Sequence, residues 1–185
     1  FFRGQEFSHA FTRHARRMRS ETLSAEGECA QLQRHFECIP RHWPMAAIYR
    51  QSEYADAEGQ QWLLAEPIFL QPEMRGARVM AAGNFQLSME EKQLILHALR
   101  SVFGDYGFEL MISRNDFLYI RASKDNPTPT FTPAPDILGC DLATILPEEK
   151  VWMALFNECQ IILHNHPLNV ERQRNGKLPI NALWF

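Results

Sequence analysis

Proline and glycine cut this chain into short segments, and that punctuation limits the folds open to it. Pro40 and Pro44 bracket Arg41-His42-Trp43. Pro67, Pro72, Gly76 and Gly83 interrupt the next stretch, and four prolines fall within the twelve residues from Lys124 to Pro135. Each proline lacks a backbone donor and restricts the residue before it, so regular elements must fit between the breaks. Ala46 to Arg50 is expected to be a short strand. Gln61 to Glu66 reads as a strand ended by Pro67, and Ala77 to Ala82 as another ended by Gly83.

The clearest helix runs from Met89 to Phe103. Ser88 suits the N-cap and Glu91, three residues on, completes a capping box. Leu94, Ile95, Ala98, Leu99 and Val102 form its apolar stripe, and Gly104 is expected at the C′ position. Phe108–Ser113 and Asp116–Arg121 read as paired strands around Arg114-Asn115. Pro147-Glu148-Glu149 opens a second helix, with acids at its positive end. Its apolar face is Val151, Trp152, Leu155, Cys159, Ile162 and Leu163. A short basic helix is expected over Asn169–Asn175, stopped by Gly176, and an apolar run closes the chain. Helices alternating with hairpin-like strand pairs imply an α+β (mixed α/β) fold, a largely antiparallel sheet flanked by helices.

Residues 1–42 read as a separate N-terminal segment. Phe1, Phe2, Phe7 and Phe11 mix with Arg13, Arg16, Arg17 and Arg19, and Ser20–Glu37 reads as helical although Gly27 weakens it. The basic-aromatic stretch is either the polar side of a packed helix or an arm for a protein partner or a second copy.

Composition excludes some classes. With 19 Lys and Arg against 22 Asp and Glu, the chain has a formal charge of −3, opposite to the basic excess of a nucleic-acid binder. No apolar run is long enough for a membrane span, and no stretch resembles a signal peptide. Cys29, Cys38, Cys140 and Cys159 form no C-x-x-C pair and read as reduced, mostly buried thiols. A cytoplasmic protein is the expectation. No P-loop, dinucleotide fingerprint, nucleophile elbow or paired-carboxylate pattern is present.

The densest polar cluster is Leu163-His164-Asn165-His166-Pro167-Leu168-Asn169, followed by Arg172 and Gly176-Lys177. His164 and His166 share a face only on extended backbone, where they would hold a metal or a phosphate. No Asp or Cys ligand stands nearby. The competing reading makes His164 a C-terminal helix residue and Asn165 and Asn169 turn formers.

This series resembles a known family. Pro133-Ala134-Pro135-Asp136-Ile137-Leu138-Gly139, Leu146-Pro147, Asn157 to Asn169, Arg172 and Gly176 to Trp184 stand in order as they do in the RpfE-type bacterial regulatory proteins. Trp62 to Pro67, Gly76-Ala77-Arg78 and Leu87-Ser88 extend the resemblance over residues 43–185. The same series is similar to the inserted domain of archaeal-type, cofactor-independent phosphoglycerate mutases, although the family's His before Asp-Ile-x-Gly is Pro135 here.

In those enzymes the insert helps grip the substrate phosphate, while a separate core carries two metals and the nucleophile. The core's metal motifs do not occur in this sequence. The resemblance therefore implies a non-catalytic regulatory protein with a mutase-like domain for a phosphorylated or other anionic small molecule. His164, Asn165, His166, Asn169, Arg172, Lys177 and Asp136 would line the pocket. Arg172 and Lys177 would act as charged donors. Asn181 and Trp184 read as structural. No cofactor and no metal site are expected; a divalent ion such as manganese belongs to the alternative reading, a metal-dependent phosphoglycerate mutase or phosphatase. The third reading is a protein–protein interaction module.

Overall fold

The computed structural model describes residues 44–123 and 128–185. The expected N-terminal segment, its Ser20–Glu37 helix and the thiols Cys29 and Cys38 lie outside the described residues. The first element is a helix, α1 (Met45–Tyr54), where Ala46–Arg50 was expected to form a strand. The reason is tertiary. Ala46 and Arg50, one helical turn apart, form the buried face, and the Arg50 guanidinium lies over the rings of Tyr54 (4.1 Å) and Trp62 (4.8 Å). Asp56 holds it by two hydrogen bonds of 2.6 Å. Only a helix offers both contacts from one side.

Strand β1 (Gln61–Glu73) is the spine of the sheet. It was expected to end at Pro67 and runs straight through it. Ile68 faces the C-terminal strand, because its carbonyl accepts the Asn181 N–H. Pro67 therefore faces the opposite edge, where pairing with β2 (Gly76–Ala82) starts only at Ile68. Its missing donor falls where no partner needs it. The outer edge of β2 is covered by residues 139–141, through Gly139 N–H to Val79 O (2.8 Å) and Val79 N–H to Cys140 O (3.1 Å).

Helix α2 (Met89–Asp105) carries the expected capping box, with Ser88 Oγ accepting the Glu91 N–H and the Glu91 carboxylate accepting the Ser88 N–H. It continues past Gly104. The left-handed position falls instead to Gly107 (φ 77°), whose N–H bonds Gly104 O. Strands β3 (Phe108–Ile112) and β4 (Leu118–Ala122) follow. Their connection spans five residues, wider than the turn at Arg114-Asn115. Lys92, buried on α2, donates to the carbonyls of Ser113 and Asn115, while Glu53 of α1 accepts from Ser113, Arg114 and Asn115.

A 3-10 turn (Ala134–Ile137), α3 (Leu142–Ile145), α4 (Lys150–His164), α5 (Leu168–Arg174) and β5 (Ala182–Trp184) complete the described chain. The five strands are antiparallel in the order β2-β1-β4-β3, with β5 beside the middle of β1. The fold is thus α+β, as expected. Successive strand residues face opposite sides. Leu118 and Ile120 join Ile95 and Leu99 of α2 and Trp152 and Leu155 of α4 in the core. Tyr119 between them faces α1, edge-on to Trp62 and Tyr54. At the far end Trp152, Trp184, Phe185 and Phe131 make an aromatic cluster, and the Trp184 indole donates to Thr132 O at 2.7 Å. That bond secures the proline-rich loop against the core. Cys159 is a free buried thiol, its pKa pushed up to about 12 by burial, and Cys140 is free and half-buried. No helix among the described residues is long and apolar enough to cross a membrane.

Candidate functional site

The polar series begins where α4 ends, and the chain reverses within three residues. His164 is the last residue of α4 and is exposed; Asn165 follows as its C-cap, with a long 3.5 Å side-chain bond to Ile161 O. His166 precedes Pro167, the N-cap of α5. The His166 Nδ1 accepts the Leu168 N–H at 3.1 Å, so a neutral imidazole satisfies one of the helix's orphan donors. Burial holds the His166 pKa below the ordinary histidine value.

One turn further on, the side chains are buried and committed. The Asn169 carboxamide donates to Leu163 O and Ile180 O (both 2.8 Å) and accepts the Ile180 N–H (2.7 Å). Arg172 is only 2% exposed. Its guanidinium donates to Leu178 O (2.7 Å), Phe85 O (3.0 Å) and the Glu91 carboxylate (2.7 Å). It also sits 5.7 Å from the Phe85 ring centroid. Four separate segments therefore meet on this one side chain.

Around Arg172 lies a cleft of about 230 Å³, walled by the loop Gly83–Gln86 on one side and Gly176–Leu178 on the other. The loop is unusual. Asn84 (φ 51°) and Gln86 (φ 52°) are left-handed without being glycine, a conformation that surroundings must impose. Asp116 imposes part of it, its two oxygens accepting the N–H groups of Gln86 and Leu87 at 2.7 Å each. Lys177, 37% exposed, places its ammonium 3.8 Å from the second Glu91 oxygen. Two cations thus share the Glu91 carboxylate, while the Asp116 carboxylate sits behind the Gln86 wall of the cleft. Of the two, Lys177 is the one an incoming anion can reach.

The seven expected pocket residues fall in several places. Arg172 and Lys177 line this cleft, and Asn169 supports it from the core. His164 and Asn165 line a different cleft, between α4 and the end of β1. His166 caps α5. Asp136 lies on the 3-10 turn, lines neither cleft, and offers its carbonyl to the Cys140 thiol. Asn181 and Trp184 are buried in structural roles: the Asn181 side chain pairs with the Leu70 backbone through bonds of 2.8 and 2.7 Å. Glu91 and Phe85 were not foreseen as site residues. The capping box marked Glu91 as a helix-start residue, but nothing local ties it to Arg172, 81 residues away. Among the described residues, no three His, Cys, Asp or Glu side chains come together in a group that could hold a metal ion.

The fold and cleft define an α+β domain with a small pocket lined by Arg172 and Lys177. Over 120 aligned residues, 60% of this chain, the sequence is 29% identical to a probable 2,3-bisphosphoglycerate-independent phosphoglycerate mutase of Geobacter sulfurreducens. The match spans 29% of that enzyme's length. No family model matches the chain, and no solved structure matches it. The similarity supports a phosphoglycerate-mutase-like relationship for this domain.

Proposed function

We propose that the protein is a non-catalytic, RpfE-like regulatory protein of the cytoplasm whose mutase-like domain binds a phosphorylated or other anionic small molecule. The observation that carries this is the convergence of Arg172 and Lys177 on the single carboxylate of Glu91, beside the open Gly83–Gln86 loop. In this reading Lys177 meets the anion directly. Arg172, its donors already engaged, fixes the loop and contributes charge from behind.

The test is thermal unfolding of the full chain with and without 3-phosphoglycerate, each with and without manganese. A ligand at about 100 times its dissociation constant, bound only to the folded state, stabilises by roughly 2.7 kcal/mol. For a domain of this size the midpoint should rise by on the order of 5–10 °C. Lys177→Ala should abolish the rise. No shift under any condition would overturn the binding reading, and conversion of 3-phosphoglycerate to its 2-phospho isomer would replace it with the enzyme reading.

A further inference from the structure

The cleft between α4 and the end of β1 has a chemistry of its own. It has a volume of about 560 Å³ and is open to solvent, a size within the range of small-molecule sites, and it shares no lining residue with the Lys177 cleft. No Lys, Arg, Asp or Glu lines it. Leu70, Pro72 and Ala77 give it an apolar side. Ile161 adds to it from α4 and is 67% exposed on an otherwise polar helix face. Asn157 and Gln160, three residues apart and so on one face of α4, present two carboxamides to the same space. Neither makes a hydrogen bond to the described chain.

We infer that this cleft binds an uncharged small ligand carrying an adjacent N–H and C=O, an amide or lactam edge, on an apolar body. Two buried carboxamides of the same fold show the complement that such a group takes. Asn181, in the wall of the cleft, grips the N–H and C=O of Leu70 with bonds of 2.8 and 2.7 Å. Asn169 grips those of Ile180 with bonds of 2.7 and 2.8 Å. In both, the side-chain oxygen accepts and the side-chain nitrogen donates, so the complement is an amide. Asn157 and Gln160 have the same donor–acceptor pair and no amide to hold. Burial of Ile161 against the ligand's apolar body adds the non-directional part of the binding. His164 is the one titratable side chain in the lining; without a Lys or Arg the cleft lacks the fixed positive charge of the Lys177 cleft, so this inference stands apart from the proposed function.

The experiment is a titration of the isotope-labelled full chain, followed through the side-chain NH2 signals of Asn157 and Gln160. Uridine supplies a lactam edge, N-acetylleucinamide a linear amide, and glucose a neutral ligand with neither. Saturable shifts of both signals are expected with uridine or N-acetylleucinamide and not with glucose; which of the two acts tells a heterocycle from an open-chain amide. The double variant Asn157→Ala, Gln160→Ala, followed in both proteins through the backbone amide signal of Ile161 in the cleft lining, should weaken that binding by about tenfold or more, two neutral hydrogen bonds being lost. Asn157 is exposed and Gln160 half-buried, and neither carboxamide supports another element, so the variant's thermal midpoint should stay close to that of the wild type. Absence of saturation with both amide probes, saturation of these signals by glucose, or equal binding by the double variant would each overturn the inference.

Discussion

The two halves of one short motif behave as different materials. His164 and Asn165 end α4 in the open, held by a single long side-chain bond to Ile161 O. Asn169 and Arg172, less than ten residues on, are buried and bonded to the backbone of Phe85, Leu163, Leu178 and Ile180. Similar polar chemistry thus serves a surface in one half and a joint in the other. What separates them is solvent. Near water an amide or imidazole loses little when unpaired, whereas a buried one must find partners or destabilise the fold. The joint is where substitutions should be costly, and the surface is where they should be silent for stability and informative for binding.

The sharpest contrast comes from Arg172→Ala. It leaves the half-buried Glu91 carboxylate with only Lys177 and the Ser88 N–H and two backbone carbonyls without their donor, and breaking a buried pair costs about 3–5 kcal/mol. The midpoint of urea denaturation should fall accordingly; a change below about 1 kcal/mol would mean that the ion pair is not formed in solution. Asn169→Leu should come next, at about 1–3 kcal/mol, because the Ile180 N–H and the Leu163 and Ile180 carbonyls lose their buried partner. Ser88→Ala, which removes one half of the capping box at the edge of the Lys177 cleft, should cost about 0.5–2 kcal/mol. Arg174→Ala breaks only an exposed pair with Glu171 at 3.6 Å and should change stability by less than about 1 kcal/mol.

The residue between the two halves sharpens the comparison through pH. Burial lowers the His166 pKa in the folded state, so the unfolded chain binds the proton more readily. The stability tied to neutral His166 is complete above the unfolded value, about 6.5, and is lost as pH falls through the folded value. His166→Asn, whose side-chain oxygen can still accept the Leu168 N–H, should flatten that dependence. Comparing the variant with the wild type isolates this contribution from Glu66. Burial raises the Glu66 pKa, and its contribution is lost instead as pH rises. Identical pH profiles for the two proteins would show that His166 does not cap α5 in its neutral form.

Some of this was legible before any coordinates. The α2 start was readable because a capping box is closed by residues three apart. Most of the α4 apolar face was readable because helical periodicity repeats within one element: Trp152, Leu155, Cys159 and Leu163 are buried, whereas Val151, expected with them, is exposed. Three local readings failed for non-local reasons. Ala46–Arg50 is helical because Arg50 packs on Trp62 and Tyr119. Pro67 stays in β1 because its empty donor position faces an edge without a partner. Gly104 is helical because Gly107, three residues later, takes the left-handed turn.

The candidate site divides along the same line. The sequence by itself determined the residue types and their order, the helix starts, the α+β alternation and the resemblance around His164–Trp184, since all of these depend on neighbours along the chain. Only the tertiary structure decided that Lys177 faces an open cleft while Arg172 is sealed behind it. It alone separated His164 from Arg172 and made Glu91 the shared counter-charge of two cations from the other end of the domain. Burial and pairing depend on contacts between residues 81 to 111 positions apart, and no local pattern encodes which of them will meet.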